Sequence, residues 1–159
     1  MKMSQILNKL KTQLDAASST LLAAARVYKY DFPTTTPKAG STVWEIRLFP
    51  LPNKEGSEYL GSGGWRASFS IHIEARRPCG QDSAAELEAS TAMSEELLQV
   101  MADNREMSID GEDEAASMVG DLASGKPLAW DYGSAPEGDT SMTVVNMTPT
   151  WEGPQITPS

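Results

Sequence analysis

This chain is poor in the residues that usually carry chemistry. Its 159 residues include one cysteine, Cys79, and one histidine, His72. A single cysteine excludes an internal disulfide and a thiolate metal cluster, and points to a reducing compartment. A single histidine excludes histidine-paired zinc motifs. No serine stands in a nucleophile-elbow pattern. Basic residues are scarce, with 13 Lys and Arg against 22 Asp and Glu and a net charge of −9. Nucleic-acid clamps concentrate cations to displace counterions, so this balance argues against one. It leaves open a surface that DNA slides past. No apolar run approaches the roughly 20 residues that span a bilayer. The start, Met1-Lys-Met-Ser-Gln5, reads as the opening of an amphipathic segment and not as an apolar leader.

What is present is an ordinary globular composition, 40% hydrophobic and 22% charged. The length suits one domain with its own core. The clearest pattern is Trp65–Arg77. Trp65, Ala67, Phe69, Ile71, Ile73 and Ala75 alternate with Arg66, Ser68, Ser70, His72, Glu74 and Arg76. A period of two predicts a half-buried strand, long enough to be the central ruler of a sheet.

Around it the other elements fall into order. Residues 4–25 carry an apolar stripe at spacings of three and four, from Ile6 to Leu22, and predict a helix with a weak point at Ser18-Ser-Thr20. Arg26–Phe32 and Thr42–Phe49 predict strands, each closed by proline. Residues 51–64 predict a long mobile loop joining the second of these strands to Trp65. Asp82 or Ser83 caps a helix expected to reach Asp103 and to cover the apolar face of the long strand. Asp110–Glu114 reads as a cap and acidic first turn of a short helix ending before Gly125-Lys-Pro127. Leu128–Tyr132 predicts a short strand, Gly133–Asp139 a loop, and Ser141–Thr150 a last strand. The expected whole is α+β: a mainly antiparallel sheet with helices packed on one face. Residues 1–152 form the single domain, and 153–159 an extended tail.

Four motifs invite chemistry, and each has a plainer reading. Gly120-Asp-Leu-Ala-Ser-Gly125-Lys126-Pro127 has the spacing of a phosphate-binding loop. Pro127 stands where the Mg²⁺-binding hydroxyl belongs, and a helix precedes where a strand should, so a helix-ending turn is preferred. Gly61-Ser-Gly-Gly64 leads into a strand and lacks a helix dipole, which favours a hairpin tip. Asp110, Glu112, Asp113 and Glu114 lack calcium-loop spacing and read as a solvated helix start. His72 and Cys79 have no orienting third group at a recognisable spacing. No catalytic, cofactor-binding or metal-binding residue is assigned, and an enzyme is not expected. Trp44 and Trp65 are assigned to the core by alternation. Trp130 and Trp151 sit near loops and the tail, where tryptophans frequently anchor interfaces.

The layout resembles the tail terminator, or tail completion, proteins of tailed bacteriophages. The resemblance rests on the helix Ile6-Leu-Asn-Lys-Leu-Lys-Thr-Gln-Leu14, on the strand pair Thr42–Phe49 and Trp65–Arg77, on the run from Glu74-Ala-Arg-Arg77 into the helix Ala84–Val100, and on the terminal strands. The acidic segment 103–121 departs from it in length. The resemblance implies a structural virion protein of the phage neck, assembled in the host cytoplasm. It implies a hexameric ring of copies of this chain that caps the tail tube, ends its polymerisation and joins it to the head connector. The partners implied are the chain itself, the tail tube protein and the neck protein, with DNA only as passing cargo, no membrane and no cofactor. Glu55, Tyr59, Leu60, Trp130, Trp151 and Ile156 are the candidate contact residues. Competing classes are another ring-forming connector or tube subunit, a non-viral α+β binding module, and a hydrolase.

Overall fold

The computed structural model describes residues 1–35, 37–51, 57–59, 65–119, 128, 130–138 and 140–156; of the side chains at 57–59, 65 and 155 nothing is described. The protein is α+β, with a mostly antiparallel curled sheet and helices on one face. The elements run α1 Met3–Asp15, α2 Thr20–Ala24, β1 Arg26–Tyr28, β2 Glu45–Pro50, β3 Ser57–Tyr59, β4 Trp65–Pro78, α3 Ser83–Asp103, β5 Glu106–Met107, β6 Ala116–Val119, β7 Trp130–Glu137, β8 Thr140–Met147 and β9 Thr150–Ile156.

β4 is the ruler that its alternation predicts. It is 14 residues long and serves two half-sheets. Residues 71–78 lie between β2 and β8, and residues 65–70 between β3 and β9. β8 and β9 follow one another along the same edge of β4, and their register holds across Thr148-Pro149. The outer strands complete two paths, β1-β2-β4-β8-β7 and β3-β4-β9-β6-β5. Only β1 and β2 pair in parallel among the described residues.

One face of the sheet carries the core. Ile46 and Leu48 of β2, Phe69, Ile71, Ile73 and Ala75 of β4, Val145 and Met147 of β8 and Trp151 of β9 are buried there. Ile6, Leu7, Leu10 and Leu14 of α1 close it from above, with Met93, Leu97 and Met101 of α3. The predicted single cover by α3 is corrected in part: α1 packs on β1, β2 and β4, whereas α3 packs on β8 and β7. Ala85, in the first turn of α3, is exposed. The predicted first helix divides at Ser18-Ser19, and its cap is Lys2, with Gln5 Oε1 accepting from the Lys2 N–H at 2.7 Å. The Glu96 carboxylate then accepts the Leu22 N–H of α2 at 3.0 Å. Asp82 caps α3 as expected, accepting from the Ala84 N–H at 3.0 Å.

Three further expectations are overturned. The acidic segment yields no helix over 110–119; Ala116–Val119 is strand β6, paired with β5 and β9. The expected loop at 133–137 is the second half of strand β7. The expected tail begins inside β9, which ends at Ile156. A register shift between Arg66 and Ser68 accommodates Gly153-Pro154 as a bulge, where proline needs no ladder partner. A Cβ at Gly153 would lie 3.4 Å from the Phe69 ring, so the bulge packs closely on the core. The loop 51–64 holds β3 at 57–59; its remainder from 52, like the Gly120–Pro127 turn and Gly61–Gly64, lies outside the described residues.

Candidate functional site: an open aromatic sheet edge

β7 and β8 form a hairpin whose two-residue connection opens on Gly138, at a φ of +59°. Glycine suits that left-handed conformation, which two-residue hairpin turns require. In such a hairpin the pair beside the turn, Glu137 and Thr140, is the hydrogen-bonded one, and bonded pairs then alternate. Trp130, Tyr132, Ser134 and Pro136 therefore turn their backbone groups away from β8. Pro136 has no N–H, so it fits an outward position and blunts the hairpin end of the edge. Trp130, Tyr132 and Ser134 leave an open ladder, and no described strand pairs with β7 on that side.

The side chains along this edge are wet. Residues 130–136 are all exposed. Trp130 and Tyr132 are each 43% exposed and stack with ring centroids 6.0 Å apart. Leu87, 52% exposed, stands on the side of α3 opposite Glu96, on the helix that packs against β8 and β7. Large apolar side chains grouped on an open edge are unusual, because such edges template pairing with another chain.

Two polar networks hold the hairpin to the rest of the sheet. On the helix-covered face, Arg77 Nη2 donates to Glu86 Oε1 at 3.0 Å, and Thr143 Oγ1 donates to Glu86 Oε2 at 2.6 Å. The Arg77 guanidinium also lies 5.2 Å from the centroid of the buried Trp44 ring. Burial pushes the Glu86 carboxyl up, but the hydrogen bonds from Thr143 and the Gly80 N–H, with the charge of Arg77, outweigh it and hold the carboxyl below its ordinary range. On the opposite face, buried Arg76 pairs with Glu137 of the hairpin and lies 3.8 Å from both Glu45 and Glu74. Burial and then the neighbouring Arg47 lower the pKa of Arg76, and Glu74 and Glu45 offset part of that. These groups are matched to one another and not aimed at a ligand.

The residues singled out in the sequence do not converge. Trp130 faces Met147 on β8, while Ile156, 42% exposed, faces Trp65 at the far end of β4. Tyr59 is the last residue of β3, beside Trp65, and Glu55 and Leu60 lie outside the described residues. Trp151 is corrected: it is 0% exposed, in the core, and its indole N–H donates to the Asn104 carbonyl at 3.0 Å. It faces Phe69 and Met118 across the ladder, which turns its ring inward. Tyr132 and Leu87 escaped sequence reasoning. Tyr132 lies two residues from Trp130, and that spacing was the available signal.

Chemistry is no better assembled than the motifs imply. His72 Nδ1 lies 3.3 Å from Thr148 Oγ1 and its ring is 5.9 Å from that of Phe49; Cys79 is not among its partners. Among the described residues, no group of three or more His, Cys, Asp or Glu is placed to hold a metal. A groove of about 450 Å³ lies between the α1–α2 link and α3, lined by Ser19, Glu95, Glu96 and Asp103, and is open to solvent. No described helix is long and apolar enough to cross a membrane.

No protein-family model matches the chain, and no curated protein matches it. Solved structures do align. One covers 98% of this chain and 94% of its own length, at 14% identity and a TM-score of 0.44. At that score the likeness carries no conclusion about fold or function.

Proposed function

We propose that this chain is a structural protein of a phage neck, a tail terminator whose copies close into a ring on the end of the tail tube. The ring ends tube polymerisation and offers the head connector a new surface, and DNA passes through it as cargo. The virion is its place of work and the host cytoplasm its place of assembly. The observation that carries this reading is the β7 edge, with an open backbone ladder over Trp130–Ser134 and two stacked, exposed aromatics. An edge of that kind invites aggregation unless another chain covers it. Contacts of one patch with a different patch on the next copy close rings. The net charge of −9 suits a lumen from which a duplex must not be held. Ion-paired polar networks, and a His72 whose described partners are Thr148 and Phe49, support assembly over catalysis.

The test is the particle mass in solution. A ring gives a multiple of 17.2 kDa by light scattering, and a persistent 17.2 kDa species at high concentration counts against it.

A further inference from the structure

Charge is divided along this chain, and the fold carries the division to opposite edges of the sheet. Residues 1–40 hold six Lys and Arg against two Asp. Residues 82–103 hold six Asp and Glu with neither Lys nor Arg, and residues 130–139 add Asp131, Glu137 and Asp139, again without a base. The basic segment builds α1, α2 and β1, and β1 is one end of the path β1-β2-β4-β8-β7. The acidic segments build α3 and β7, and β7 is the other end of that path. Helix placement follows the same division, with α1 over β1 and β2 and α3 over β8 and β7.

Both ends are open to a partner. At the β7 end Asp131 is exposed between Trp130 and Tyr132, and Glu88 is exposed next to Leu87 on α3. At the β1 end Arg26 is exposed, Tyr30 is 63% exposed, and Lys29 is half-buried on Asn8. In the parallel pair of β1 with β2, the Arg26 N–H bonds Trp44 at 2.9 Å, so the alternation turns the backbone of Val27 outward.

We propose that the acidic, aromatic β7/α3 edge of one copy docks against the basic β1/α1 edge of a second copy of this chain. The occupant is set by complementarity: the molecule carries at one end the sign that its other end would attract. An isologous contact of β7/α3 with itself would set Asp131 and Glu88 near their own equivalents, and like charges so placed repel. The contact is therefore head to tail. This inference rests on the ring reading above and names the two surfaces that make the ring.

The experiment uses two full-length variants. One reverses the acidic edge (Glu88→Lys, Asp131→Lys), and the other reverses the basic edge (Arg26→Glu, Lys29→Glu). Circular dichroism and thermal melting first establish that each is folded. Native mass spectrometry then reads the assembly of each alone and of their equimolar mixture. Each variant alone is expected to lose at least tenfold in assembly at low salt. The mixture is expected to regain rings of even order with the two chains alternating, because each reversed edge then meets a complementary one. If wild-type protein forms rings and the folded single variants form them equally well, the edge assignment is overturned and the ring reading stands. If both variants dissociate and their mixture stays dissociated, the head-to-tail contact is overturned. Wild-type protein that stays a monomer overturns both.

Discussion

The indole N–H of Trp151 donates to the backbone carbonyl of Asn104, 3.0 Å away, and both residues are buried. Asn104 is the residue on which α3 ends, and Trp151 lies in β9. One hydrogen bond thus ties the end of α3 to the strand that pairs with residues 65–70 of β4. Trp151→Phe keeps most of the ring and leaves the carbonyl without this donor, which is expected to cost about 1–3 kcal/mol. Trp151→Ala also opens a cavity, and about 3–5 kcal/mol is expected. Urea unfolding followed by circular dichroism measures both; a neutral Trp151→Ala would place the ring outside the core.

Acid is expected to loosen the α3–β8 contact through Glu86. Its folded pKa is lowered from an ordinary 4.5. A carboxyl lowered on folding stabilises fully above its unfolded pKa, and that contribution is lost as pH falls through the folded value. Stability should therefore drop below pH 4.5, and Glu86→Gln should flatten that part of the profile while lowering stability at neutral pH. Denaturant midpoints from pH 7 down to 3 test this. An unchanged slope in Glu86→Gln would remove Glu86 from the acid response.

Arg76 is expected to be the costliest charge to remove. Its buried guanidinium is shared among Glu137, Glu45 and Glu74. Arg76→Ala leaves those carboxylates crowded on one face, and breaking buried pairs in this way costs about 3–5 kcal/mol. Thermal unfolding measures it, and hydrogen exchange should show the β7–β8 hairpin opening first. A loss under 1 kcal/mol would mean that solvent replaces the arginine.

The exposed aromatics are expected to behave differently from the buried one. Trp130→Ala with Tyr132→Ala removes surface side chains, so monomer stability should change by about 0.5 kcal/mol or less for each. Assembly should fall sharply, because interface energy concentrates in such anchors. Sedimentation velocity set beside melting curves separates the two effects. Lost stability with unchanged assembly would reverse the roles assigned to Trp130 and Trp151.

The contrast between those tryptophans shows what was legible in the sequence. β4 could be read because one of its faces is buried along the strand and the other is polar, so burial imprints a period of two. α3 could be read because Asp82 caps it and a regular stripe follows. β7 could be read only over Trp130–Tyr132, since residues 130–136 are all exposed and no burial pattern exists to imprint the rest. Its Gly133, Ser134 and Pro136 suit an edge and a loop equally. The local signals of Asp110–Ala116 favour a helix start, yet distant pairing with Thr150–Glu152 makes Ala116–Val119 a strand. Trp151 was misplaced for a related reason: Gly153-Pro154 looks like the end of structure, but it is a bulge inside a strand. The open edge was half legible, through Trp130, and its completion by Tyr132 and Leu87 required the fold.

The most direct measurement of the central claim is cryo-electron microscopy of the purified protein mixed with polymerising tail-tube subunits. The account predicts a ring of density on one end of each tube, tubes that stop growing, and β7 of each copy lying against β1 of the next. Tubes that elongate unchanged with bare ends, while this protein remains dispersed as single copies, would contradict it.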